Sequence, residues 1–167
     1  MTNVVSRSPA GSTPAGSQNR SALQAVLWGG LSAGALDLTW ALISGHLQGF
    51  DLSSIPQAIA SGLLGTRSFR GGIPTVVLGV ALEFLITFVA TWIFYLSSRK
   101  MAFLTQRAVV AGMLYGAVIF FFMRDIVVPL SAAPKFPSTP VAVAAEFIAH
   151  LILIGLPMSL AVRRYSS

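Results

Sequence analysis

The sequence predicts an all-α fold: a four-transmembrane-helix bundle with a short amphipathic helix on its outer face. Three observations carry this. Apolar residues make up 54% of the 167-residue chain and charged residues 10%, with a mean hydropathy of +0.77, which is a membrane composition. The apolar residues gather into four runs, near 22–45, 73–97, 108–129 and 141–162. Each is long enough, at about 1.5 Å per residue, to cross a hydrocarbon core of about 30 Å. Finally, the ionisable residues inside those runs fall at comparable depths, as expected where such groups are costly to leave alone.

Composition also excludes several classes. With no cysteine, disulfides, thiolate metal sites and thiol nucleophiles are ruled out. The net charge of +6 does not point to nucleic acid, because the basic residues are scattered at the ends of apolar runs rather than gathered on one face. The lipid bilayer is the partner the sequence implies, and a homo-oligomer or a larger membrane complex stays open. No cofactor is required by the sequence.

Residues 1–21 are rich in Ser, Pro, Gly and Ala and carry Arg7 and Arg20 without an acid, so they are expected to form a disordered cytoplasmic tail ahead of a single domain over 22–164. The start could pass for the n-region of a signal peptide, with Ser32–Ala35 as its cleavage site. The apolar run continues through Leu42 and Ile43, which favours an uncleaved first span. In that span Gly30 and Gly34 make a small-residue face that Asp37 and Ala41 continue. Residues 50–70 are too polar and too interrupted to span, with a short helix expected near 53–64. Ser53 or Ser54 is placed to cap a short helix with Pro56 in its first turn, and Leu52, Ile55, Ile59 and Leu63 share one face. An amphipathic helix on the outer surface is expected, with a re-entrant segment as the alternative. The second span places Gly79, Glu83 and Thr87 on one face and ends on Trp92 and Tyr95, which fit an interfacial anchor. The third carries Ala108, Gly112 and Gly116 as a small-residue ladder and Arg124 and Asp125 near its far end. After a proline-rich connection over 129–140, the fourth carries Glu146 and His150, four apart on one helical face.

Basic residues set the orientation. The tail (Arg7, Arg20), the turn between the second and third spans (Arg99, Lys100, Arg107) and the C-terminus (Arg163, Arg164) outnumber the opposite side (Arg67, Arg70, Lys135), so both termini are expected in the cytoplasm. Of the five acids, Asp51 alone falls outside a span. Asp37, Glu83, Arg124, Asp125, Glu146 and His150 are therefore expected in one polar cluster in the outer half of the bundle, with Arg124 paired to Glu146 or Glu83 and Asp125 turned toward the outer loop or His150. The faces of Gly30 and Gly34 and of Gly112 and Gly116 are expected to pack the first span against the third. Two local matches hint at a pair of repeated helical hairpins: Gly-x-x-x-Gly-Ala at 30–35 and 112–117, and the stretches 80–84 and 143–147 around Glu83 and Glu146.

Glu146 and His150 are also the candidate metal ligands, since carboxylate and imidazole one turn apart can share an ion; the four glutamates of a di-iron bundle are absent. His46, at the end of the first span, is read as interfacial rather than a haem ligand. No Ser-His-Asp constellation, phosphate loop or nucleotide fingerprint appears, so no enzyme class follows. Pro129-Leu130, the proline-bearing loop, Glu146-x-x-x-His150 and the closing Arg163-Arg164 resemble the YagU-like inner-membrane proteins of bacteria. The likeness extends loosely to the Gly-rich first helix and departs at the second, where Glu83 stands near an expected histidine. It implies four helices in a bacterial inner membrane and no particular chemistry. Three functions stay open: a structural or accessory membrane protein, a small transporter or proton- or cation-conducting oligomer, and a metal- or haem-binding membrane protein.

Overall fold

The computed structural model describes residues 15–135 and 137–165 and is built from helices and their connections, with no strand among the described residues. Helix α1 runs Ala15–Leu47, α2 Ser54–Leu64, α3 Gly72–Ser98 and α4 Phe103–Gln106. A 3-10 segment, Gly65–Arg70, links α2 to α3. Helix α5 (Ala108–Phe122) continues through a π-helical turn, Met123–Val127, into α6 (Val128–Leu130). The last helix is α7 (Pro140–Ala149), a second π-helical turn His150–Gly155, and α8 (Leu156–Tyr165). Four helical stretches are long and apolar enough to cross a membrane: Arg20–Leu47, Gly72–Ser98, Ala108–Leu130 and Pro140–Tyr165. They form the expected four-helix bundle. Of the expected tail, residues 1–14 lie outside the described residues, and from Ala15 the chain is already helical. Extending an existing helix adds one hydrogen bond per residue fixed, so a span readily propagates past its apolar stretch.

The interior holds small residues and the exterior large ones. Ala25, Ala33, Ala60, Ala108, Ala111, Thr91, Ser61 and Ser159 are buried, and Phe94, Met158 and Val162 are the largest fully buried side chains. Leu27, Leu31, Leu85, Val89, Leu114, Val118, Phe121 and Ile152 point outward. In lipid, apolar side chains gain nothing by leaving the exterior, so helices associate through residues that let backbones approach. Phe94, Tyr95, Ala25, Ala111 and Val162 close one end of the core, and Ala33, Ile154 and Met158 fill its middle.

Helix pairing differs from the sequence expectation. Helix α1 packs against α3 and against the fourth span, while α5 packs against the fourth span through its π turn and α8. Gly30 and Gly34 face Phe88 and Phe84 of α3, and Gly112 and Gly116 face Gly155, Ser159 and His150, so the two glycine faces do not meet each other. The reason lies in the third partner. Gly155 gives the fourth span its own bare backbone, and two glycine surfaces approach more closely than a glycine and a phenylalanine surface can. Helices α3 and α5 meet chiefly through Tyr115, whose hydroxyl donates to the Ala90 carbonyl at 2.7 Å and whose ring lies 5.0 Å from that of Phe94.

Both π-helical turns end two residues before a proline, Val127 before Pro129 and Gly155 before Pro157. Proline offers no N–H and crowds the carbonyl four residues earlier, here those of Asp125 and Leu153. Widening the helix locally accommodates that crowding without breaking the rod. At the start of α7, Thr139 accepts from the Ala142 N–H at 3.2 Å and Pro140 occupies the first turn, where its missing donor costs nothing.

Helix α2 forms where expected, with two differences. Ser53 stands at its N-cap without a side-chain cap bond, and the Ser54 hydroxyl instead donates back to the Asp51 carbonyl at 2.6 Å. The buried face is Pro56, Gln57, Ala60 and Ser61, while Leu52 and Leu63 are exposed. The helix thus seats its small, polar face on the first two turns of α3. Gln57 donates to the Gly72 carbonyl and to the Thr75 hydroxyl, both at 3.2 Å, and Thr75 donates to the Ser68 carbonyl at 2.7 Å. Gly49, Gly65 and Gly72 have φ of 88°, 60° and 60°, and so mark the bends on either side of α2 and its 3-10 extension where a side chain would be strained.

Candidate functional site: a carboxyl pair between the first two spans

The face of α3 that meets its neighbours carries polar or small residues at near-regular one-turn steps: Thr75, Gly79, Glu83, Thr87, Thr91 and Tyr95 are all buried. The threonine hydroxyls are satisfied locally, Thr87 on the Phe84 carbonyl at 3.0 Å and Thr91 on the Thr87 carbonyl at 2.7 Å. Such bonds use the one proton of each hydroxyl within its own helix, so Thr87 and Thr91 serve mainly as small residues. Glu83 differs, since a carboxyl group cannot reach its own backbone acceptors without a proton.

Its partner comes from α1. Gly29 lies against Thr91, and Gly34 lies against Phe84 and Thr87. This antiparallel register carries on outward and sets Asp37 opposite Glu83. Asp37 is thereby the acidic neighbour of Glu83. Glu83 is 8% exposed and Asp37 is half-buried. A carboxylate has acceptors only, so two facing carboxyl groups can bond to each other only when one of them carries a proton. No arginine, lysine or histidine forms an ion pair with either group among the described residues. From Gly72 to Glu83 the helix rises about 16 Å, which puts the pair near mid-bilayer if α3 spans a core of about 30 Å.

The other four residues expected in the polar cluster stand elsewhere. The Arg124 guanidinium lies over the Phe120 ring, 5.9 Å from its centroid, and makes no ion pair with Glu146 or Glu83. Asp125, beside it on the π turn, is exposed, as is Glu146. His150 turns back on its own helix, with Nδ1 3.0 Å from the Glu146 backbone oxygen, and its ring meets Phe120 edge-on at 5.4 Å. The expected pairing of Arg124 is thus replaced by a ring contact within its own helix. Near the helix end the long side chain can reach the interface, where a guanidinium stays hydrated and needs no carboxylate.

As a metal pair, Glu146 and His150 lack support: no group of three or more metal-binding side chains converges among the described residues. His46 is exposed in the last turn of α1 and lines a shallow depression with Gly49, Phe50, Asp51, Leu52 and Ser53. Of the six residues expected in one cluster, Asp37 and Glu83 are thus the two that the packing of α1 on α3 sets opposite each other. The signal was present, because the glycines of α1 and the threonines of α3 share the spacing that sets the register.

These four apolar helices define a multi-pass membrane protein. Compared with family models, curated proteins and solved structures, the chain matches none.

Proposed function

We propose that this is an inner-membrane protein whose working part is the Asp37–Glu83 pair, a site that takes up and releases a proton, or exchanges it for a small cation, inside the bilayer. The observation that carries this reading is a buried carboxyl group set opposite a second carboxyl group by the glycine–threonine register of α1 and α3, with no cation paired to either among the described residues. A purely structural polar clasp in a membrane is commonly built from neutral amides and hydroxyls, whereas two acids bring a titratable proton with them. The likeness to YagU-like proteins, cytoplasmic termini and assembly into an oligomer or larger complex belong to the same proposal.

The test uses purified full-length protein in liposomes enclosing a pH-sensitive dye. Proton or sodium flux down an imposed gradient is expected, falling by roughly a hundredfold in Glu83→Gln and Asp37→Asn. A hydrophobic carbodiimide, which attacks protonated carboxyl groups, is expected to label Glu83 in the native chain. Flux equal in all three proteins would sink the site.

The accessory reading rests on the same close packing of Gly34 against Thr87. It predicts no flux from the native protein and a lowered thermal midpoint for Glu83→Gln.

The orientation is checked separately. Reporter fusions after Ser167 and within 134–140 should report opposite sides, cytoplasmic for the first, from the distribution of basic residues. Two reporters on one side would overturn the four-span topology.

A further inference from the structure

One end of the bundle collects cations and no acids. Arg20, Arg99, Lys100, Arg107, Arg163 and Arg164 lie there and all are exposed, while the acids, Asp37, Asp51, Glu83, Asp125 and Glu146, belong to the middle or the opposite end. The apolar core brings these cations together. Tyr95, Val162, Leu104 and Tyr165 share one cluster, so the end of α3, the short α4 and the end of α8 meet around a common centre. Arg99 is anchored to that centre, its Nη1 donating to the Tyr95 hydroxyl at 3.3 Å. Tyr95 in turn stacks on Trp92 at 6.0 Å, and Arg164 lies 6.0 Å from the centre of the Tyr165 ring. Met101 and Phe103, on the same turn as Lys100, are exposed, as are Trp92 and Leu96 on the last turns of α3.

We infer that Arg99, Lys100 and Arg107, with Arg163 and Arg164 beside them, form a seat for anionic phospholipid headgroups. Charge and apolar surface together select that occupant. The cations suit phosphate, and the apolar side chains next to them continue without a break into the lipid-facing band, where acyl chains lie. A soluble polyanion would find the same charges but would leave Met101 and Phe103 in water. The inference does not rest on the Asp37–Glu83 reading, since the two sites share no residue.

The probe is brominated phosphatidylglycerol titrated into phosphatidylcholine vesicles containing the full-length protein, read as quenching of tryptophan fluorescence, with Trp92 the reporter nearest the site. Native protein is expected to prefer phosphatidylglycerol about tenfold over brominated phosphatidylcholine at low salt, with the preference lost near 0.5 M NaCl. The triple variant Arg99→Gln/Lys100→Gln/Arg107→Gln should show little preference, and Arg67→Gln/Arg70→Gln at the other end should keep it. A preference that survives the triple change, or no preference in the native protein, overturns the proposal. Should the triple variant fail to fold, the native salt titration decides, and indifference to salt counts against it. Inorganic phosphate at millimolar concentration should leave the quenching unchanged; its displacing the lipid would assign the site to free phosphate instead.

Discussion

Replacing Gly155 with valine should abolish the seam between the third and fourth spans. A Cβ at this position would stand 2.9 Å from the Gly116 nitrogen and closer still to the Gly112 carbonyl oxygen, and backbone atoms cannot turn aside as a side-chain tip can. The opposite side of the seam is as tight, since Gly112 points at Ser159 and Gly116 at the His150 carbonyl. The glycine Cα hydrogens lie where carbonyl oxygens can receive them, weak contacts of about 0.5–1 kcal/mol each that a side chain would remove along with the packing. Overpacking a fitted interface costs about 1–3 kcal/mol and more where nothing can yield, so a loss of about 3 kcal/mol or more is expected. Thermal unfolding in detergent followed by circular dichroism checks it. Gly155→Ala should fall between native and valine, and a valine variant as stable as the native protein would show that the seam is looser than drawn.

Gly79→Leu should have a large but local effect. A Cβ on Gly79 would meet the Pro56 backbone, with the Pro56 Cα at 3.1 Å and its carbonyl nearer. Helix α2 must then leave α3, taking Gln57 from Thr75 and from the Gly72 carbonyl. Two buried hydrogen bonds at about 1 kcal/mol each, with the contact area beneath them, make re-docking unfavourable by several kcal/mol. Single cysteines at Ala60 or Ser61, introduced into this cysteine-free chain, should be shielded from a soluble maleimide in the native background. In Gly79→Leu they should react at least tenfold faster, in line with the lost docking energy. The four spans should keep their helicity, because α2 contributes no part of them. Equal labelling rates in the two backgrounds would show that α2 does not depend on this contact.

The spans were legible because bilayer thickness sets a length that composition alone reveals. The start of α7 was equally local, with Thr139 ahead of Pro140. Less legible was the direction of side chains placed by depth alone. Arg124, Asp125, Glu146 and His150 were grouped because they fall at comparable depths, which does not say which way each points, and Arg124 and Asp125 sit within one π-helical turn while His150 opens the other. A π turn carries more residues per revolution, so side chains within and beyond it are rotated relative to a regular helix. Pro129 and Pro157 were the available warning. Asp37 and Glu83 lie on helices free of such turns, α1 and α3, and there the projected faces agree with the structure. Partner choice was less legible, because a glycine face says that something comes close without naming it.

The bare seam between α5 and the fourth span also bears on the order of assembly. Glycine has no rotamers to lose, so joining Gly112, Gly116 and Gly155 carries none of the side-chain entropy cost that ordering leucines or phenylalanines would. The third and fourth spans are also neighbours in the chain, so closing them needs only the loop between Leu130 and Pro140. Seating α1 between α3 and the fourth span, by contrast, joins the first helix to the last and must wait for the whole chain. The C-terminal hairpin can therefore close as a unit of its own, as can α1 on α3, and what waits for the last helix is the seating of α1 against the fourth span.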